Sequence, residues 1–245
     1  MEPFISKENV DRFCSTNEKW LKGEINKLVV EFPGFDGNSC LGGNFNFQEN
    51  DSGFAQVMGE QGILTVYVYT GPWNWMRDIS VKTVDCIIES IIDKYDLPED
   101  ITIVTVGGSM GGLGALMYTV KGRYTISACA ISCPVCDLYA LSVAEKFHFF
   151  CASVYFAFAD RPGSFEEVAK ANSPLHNVSK MPKIPYFMII CDGDDVIPCD
   201  SHAYPLLARM KAEGHNIQTV TAQGKGHCEH SIELLKPFED FVYQA

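Results

Sequence analysis

The chain has 245 residues, 47% of them hydrophobic, and 31 Asp and Glu against 19 Lys and Arg give it a formal net charge of −12. The length suits one well-buried domain over 1–245, and the apolar content excludes a disordered chain. The negative charge repels phosphate backbones and anionic headgroups, which points to a small molecule or peptide as partner and away from nucleic acid or a membrane surface.

In chain order, the N-terminal MEPFISKENVDRFC has neither a basic start nor an apolar run, and no apolar stretch reaches spanning length, so the expectation is a cytoplasmic protein without leader or membrane segment. The sequons at Asn50 and Asn177 are then chance matches. Apolar, β-branched runs at Lys27–Phe32, Ile63–Tyr69, Ile101–Val106, Ile126–Ser132, Tyr186–Cys191 and Ile217–Thr221 read as fully buried strands. Helical patterns alternate with them. The clearest runs through Val81, Val84, Ile87, Ile88, Ile91 and Ile92, and others cover Gly111–Lys121, Ser201–Glu213 with Gly214 at its end, and Glu229–Tyr243, where Pro237 should kink or restart the turn. This alternation predicts an α/β fold with a mostly parallel central sheet and helices on both faces. The interval 137–181, rich in aromatics (Phe147, Phe149, Phe150, Tyr155, Phe156, Phe158), reads either as a small lid insertion over a cleft or as a surface helix packing its own aromatics. The ten cysteines lie mostly in apolar stretches (Cys86, Cys129, Cys133, Cys191), with paired spacing only from Cys133 to Cys136, as expected of free thiols in a reducing compartment.

Chemistry concentrates at Gly107-Gly108-Ser109-Met110-Gly111-Gly112, a G-x-S-x-G turn directly after a predicted strand and before a predicted helix. A sharp strand-to-helix turn exposes the serine, and it needs small residues two before and two after so that strand and helix can close on each other. This pattern predicts an α/β-hydrolase fold with Ser109 as nucleophile. Among six histidines, His227 alone sits in a turn between the last strand and the last helix, where a loop can deliver a base. His230 is expected about one turn inside that helix, and His148, His176, His202 and His215 read as lid, turn or surface residues. The acid should follow the strand Tyr186–Cys191, where Asp192, Asp194 and Asp195 compete. A calcium loop there lacks the ligand spacing, so no metal and no cofactor is expected. The oxyanion donors should be the N–H of Met110 and, from the early loop Glu31–Gly37, the N–H of Phe35; the loop also reads as an ordinary Pro-Gly turn.

Together with Ser173-Pro174-Leu175-His176-Asn177-Val178, Asp194-Asp195-Val196-Ile197-Pro198 and Gly226-His227, the elbow resembles the catalytic domains of the prolyl oligopeptidase superfamily and its stand-alone esterase relatives, from about Glu31 to the end of the chain. The resemblance selects Asp194 as the acid. It also likens Pro33-Gly34-Phe35 to a His-Gly-Phe oxyanion loop of feruloyl and cinnamoyl esterases, with Pro33 in place of the histidine. The superfamily's peptidases carry a large N-terminal propeller, and with about thirty residues before the first clear strand the expectation is a carboxylesterase acting on small acyl or aromatic esters. The alternatives are a peptidase cleaving short peptides and a non-catalytic binding scaffold; dienelactone hydrolase-like chemistry would put Cys where Ser109 stands. Trp73, Asn74 and Trp75 read as walls of an aromatic substrate pocket or as core.

Overall fold

In a computed structural model, residues 4–35, 50, 52–71, 73, 75–144 and 148–245 are described. Asn74, Phe147 and the Asp36-Gly37 end of the early loop lie outside them. Among the described residues, seven strands form one sheet: β1 (Cys14–Thr16), β2 (Lys27–Phe32), β3 (Ile63–Val68), β4 (Thr102–Gly108), β5 (Ala128–Ser132), β6 (Tyr186–Cys191) and β7 (Ile217–Ala222), in the order β1-β3-β2-β4-β5-β6-β7. All pairings are parallel except β1 with β3. This is the mostly parallel α/β sheet that the alternating pattern predicts, and it agrees with the α/β-hydrolase fold expected from the elbow.

Helices cover both faces because alternate strand residues are apolar on each side. Leu28 and Val30 of β2 face one core with α2 (Asp78–Tyr95) and α3 (Met110–Lys121), while Val29 faces the other with α1 (Gly53–Glu60) and α8 (Ile232–Gln244). Each such side chain, fully buried, contributes about 1.5–3 kcal/mol. Between β5 and β6 lie three short helices, α4 (Leu138–Val143), α5 (His148–Phe158) and α6 (Phe165–Ala171); α7 (Ala203–Ala212) follows β6 and ends before Gly214, whose φ is +76°.

Several expectations need correction. The edge strand β7 is mostly half-buried or exposed, because no strand covers its outer side. α8 begins at Ile232 and runs unbroken through Pro237, so His230 lies in the preceding loop and not one turn inside a helix. His202 and His215 are buried. His202 Nδ1 accepts the N–H groups of Cys136 and Asp137, and burial holds its pKa down at about 4, so it is a neutral structural acceptor. Asn177 is also buried, its amide donating to the carbonyls of Ala171 and Ser173.

Candidate active site

The site is assembled at the carboxyl ends of β4, β6 and β7. β4 runs into α3 through Ser109, whose φ of +57° and ψ of −123° place a non-glycine residue in a strained conformation. The turn is held by the Ser109 N–H donating to Ser132 C=O at 2.9 Å and by the Val135 N–H donating to Ser109 C=O at 3.1 Å. It also requires glycine on either side. A Cβ on Gly107 would lie 2.4 Å from the Gly111 carbonyl, and one on Gly111 would lie 2.2 Å from the Phe32 oxygen.

His227 comes from the loop between β7 and α8. Its Nε2 is 2.9 Å from Ser109 Oγ and its Nδ1 is 2.6 Å from Asp194 Oδ2. That network assigns the proton to Nδ1 and leaves Nε2 to accept from the hydroxyl. Asp194 is buried, and its Oδ1 accepts the N–H groups of Val196 and Ile197 at 2.9 and 2.8 Å, so the loop after β6 fixes the carboxylate before it meets the imidazole. Asp192 is exposed and turns instead to the Gly224 N–H; Asp195 is exposed as well. Of the three aspartates, it is Asp194 that hydrogen-bonds His227.

Met110 opens α3, so its N–H is among the first-turn amides that the helix itself leaves unused. Phe35 lies three residues past the end of β2, and the oxygens of Phe32 and of the next residue, Pro33, stand where a side chain at Gly111, in that same first turn, would have to go. The Phe35 ring stacks against Trp73 at 6.4 Å and meets Phe149 at 5.7 Å and Phe150 at 5.0 Å, which joins the early loop to α5. Trp73 is 53% exposed and also borders a hollow of about 310 Å³ with Arg77, Ser153 and Phe156. Trp75 is different: it is fully buried, and its Nε1 donates to Ser153 Oγ at 3.2 Å. As a pocket wall Trp75 is therefore corrected to core.

Sequence reasoning passed over two neighbours of the site. Cys228, directly after His227, has φ +55° and places its Sγ 3.8 Å from His227 Nε2; its adjacency in sequence was the available signal. Glu31, one residue before the end of β2 and lining a cavity of about 270 Å³, has its pKa raised to about 7 by burial, against which the Asn50 amide, donating at 3.0 Å, works in the opposite direction.

The sequence model of the prolyl oligopeptidase family matches residues 84–244, which include Ser109, Asp194 and His227. The chain belongs to the prolyl oligopeptidase family. It has the α/β-hydrolase fold. No curated protein sequence matches it. Among solved structures it is similar to a puromycin hydrolase (15% identity, TM-score 0.62, covering 78% of this chain and 30% of that one). It is also similar to esterase B from Lactobacillus rhamnosis (11% identity, TM-score 0.69, 91% and 76%) and to a Pyrococcus horikoshii acylaminoacyl peptidase (14%, 0.65, 91% and 36%). At these identities the likeness is one of fold, and the chain spans about a third of the length of the puromycin hydrolase and the acylaminoacyl peptidase.

Proposed function

We propose that this family member is a carboxylesterase that cleaves esters of small or aromatic acids through an acyl-enzyme on Ser109. The observation that carries the reading is the relay from Ser109 Oγ to His227 Nε2 at 2.9 Å and from His227 Nδ1 to Asp194 at 2.6 Å. In it His227 takes the hydroxyl proton as Ser109 Oγ bonds to the acyl carbon, and Asp194 stabilises the imidazolium that forms. The N–H groups of Met110 and Phe35 receive the negative charge on the carbonyl oxygen, each worth about 3–4 kcal/mol in such sites. His227 then gives its proton to the leaving alcohol. Water, deprotonated by the same imidazole, releases the acid and restores Ser109. These steps use side chains and backbone of this chain, and they proceed in the presence of a chelator.

An ester preference follows from leaving-group chemistry. An alkoxide or phenolate departs with little help, whereas an amine needs a proton delivered to its nitrogen in good alignment. The half-exposed aromatic surface of Phe35, Trp73 and Phe149 supports an apolar or aromatic group in the substrate, and helices α4 to α6 over 137–181 act as the lid beside it. A second reading, cleavage of short peptides, is favoured by the family itself. The deciding experiment compares kcat/KM for an ester and an amide that share one acyl group. A higher value for the ester supports the esterase reading, and an amide preference or efficient cleavage of Pro- or Ala-terminated peptides replaces it with a peptidase.

A further inference from the structure

Three loops converge behind the histidine loop and bring together side chains that the hydrolytic steps do not use. Cys133 follows the end of β5, Cys191 ends β6, and His230 stands between His227 and α8. One ligand atom from each lies within 4.8 Å of the other two, the only such group of three or more His, Cys, Asp or Glu among the described residues. Both thiols are buried and the imidazole is half-buried. Ser132 Oγ lies 2.5 Å from His230 Nε2, so a neighbour already holds the ring, as an outer-shell partner does for a ligating histidine.

Two thiols and an imidazole suit a borderline-soft cation and not Mg2+ or Ca2+, which take oxygen ligands. With Zn–S near 2.3 Å and Zn–N near 2.0–2.1 Å, a tetrahedron sets its ligand atoms about 3.3–3.8 Å apart. Closing the cluster from its upper limit of 4.8 Å thus takes side-chain shifts of about 1 Å. The cluster also has an opening on one side, where His230, Ser132 and Cys228 line a cavity of about 270 Å³.

We propose that Cys133, Cys191 and His230 bind one thiophilic divalent cation of the Zn2+ class, with a water from the cavity as fourth ligand. The sulfurs ligate as thiolates, so any proton a thiol still carries passes to solvent as its sulfur ligates, and no oxidation or reduction is involved. The ion ties the ends of β5 and β6 to the segment that carries His227. The three ligands are not members of the Ser109–His227–Asp194 relay, so removing the ion takes away no triad group and loosens the junction beside it.

The test uses the full-length protein, reduced, treated with chelator and titrated with Co2+ without oxygen. One equivalent should produce the thiolate-to-cobalt charge-transfer band and the visible bands of tetrahedral Co2+, Zn2+ should abolish both by displacement, and Zn2+ should raise Tm. Cys133→Ser should remove the charge-transfer intensity of one thiolate and weaken binding by at least about tenfold. Because that site is buried, His230→Gln in the loop, with its fold checked by circular dichroism, is the second variant and should weaken binding similarly. Absence of the bands at saturating Co2+, bands unchanged in both variants, or bands removed by Cys151→Ser at the exposed thiol on α5 would overturn the proposal.

Discussion

Asp194 meets His227 with one oxygen, at 2.6 Å, while its other oxygen is held by two backbone N–H groups of its own loop. The carboxylate is thus oriented by the chain segment that follows it, and it orients the imidazole in turn. Asp194→Asn should lower kcat by about 10⁴, because an amide in that place favours the wrong imidazole tautomer. Asp192→Asn and Asp195→Asn should change it little. Steady-state kinetics of the three variants on one ester decides the matter, and equal losses in all three would remove Asp194 from its role.

Gly111 sets the tightest approach at the nucleophile turn. Its missing side chain lets β2 pass, with a Cβ there only 2.2 Å from the Phe32 oxygen. Gly111→Ala should destabilise the fold by about 3 kcal/mol or more and lower Tm by about 6–12 °C. Thermal unfolding followed by circular dichroism measures this; an unchanged Tm would mean that strand and helix are not so closely packed.

The two tryptophans separate pocket from core. Trp73→Ala should raise KM for aromatic esters and leave Tm nearly unchanged, since the ring is half-exposed. Trp75→Ala should cost about 3–5 kcal/mol of stability, since it empties a fully buried position and leaves Ser153 without its indole donor. Kinetics and thermal melts on the pair distinguish the roles, and matching stability losses would place both rings in the core.

Much of this arrangement was legible in the sequence. β2 and β6 have their predicted bounds, and the elbow glycines stand where the backbones meet, because hydrophobic runs and steric demands are local properties. β1 was not legible: three residues carry no periodicity, and Cys14 to Thr16 become a strand only by pairing with β3. α1 was hidden because glycines stand at Gly53 and Gly59, and Gly59 is there to let Trp20 approach. The choice among Asp192, Asp194 and Asp195 came from the family resemblance, since adjacent acids differ in direction and not in type. The cluster of Cys133, Cys191 and His230 was out of reach, because the three are separated by long stretches of chain and meet only when β5 and β6 lie side by side.

Glu31 gives a pH signature of its own. Its pKa is near 7 in the folded chain and near 4.5 unfolded, so the fold binds the proton more tightly. The stability this group contributes is complete below pH 4.5, falls as pH rises from about 4.5 to 7, and is lost above that window. Glu31→Gln keeps an acceptor for Asn50 and removes the titration, so the variant should gain about 1 kcal/mol or more on the wild type at pH 8 relative to pH 5. Denaturant unfolding at the two pH values measures the difference, and parallel changes in both proteins would contradict it.

An acyl group carried by Ser109 is open to fluorophosphonate labelling followed by peptide mass mapping. The label should fall on Ser109 in the wild type. Ser109→Ala, still folded by circular dichroism, should take up no label and lose ester hydrolysis by several orders of magnitude. Labelling at a different serine, or ester turnover by Ser109→Ala close to that of the wild type, would mean that Ser109 is not the nucleophile.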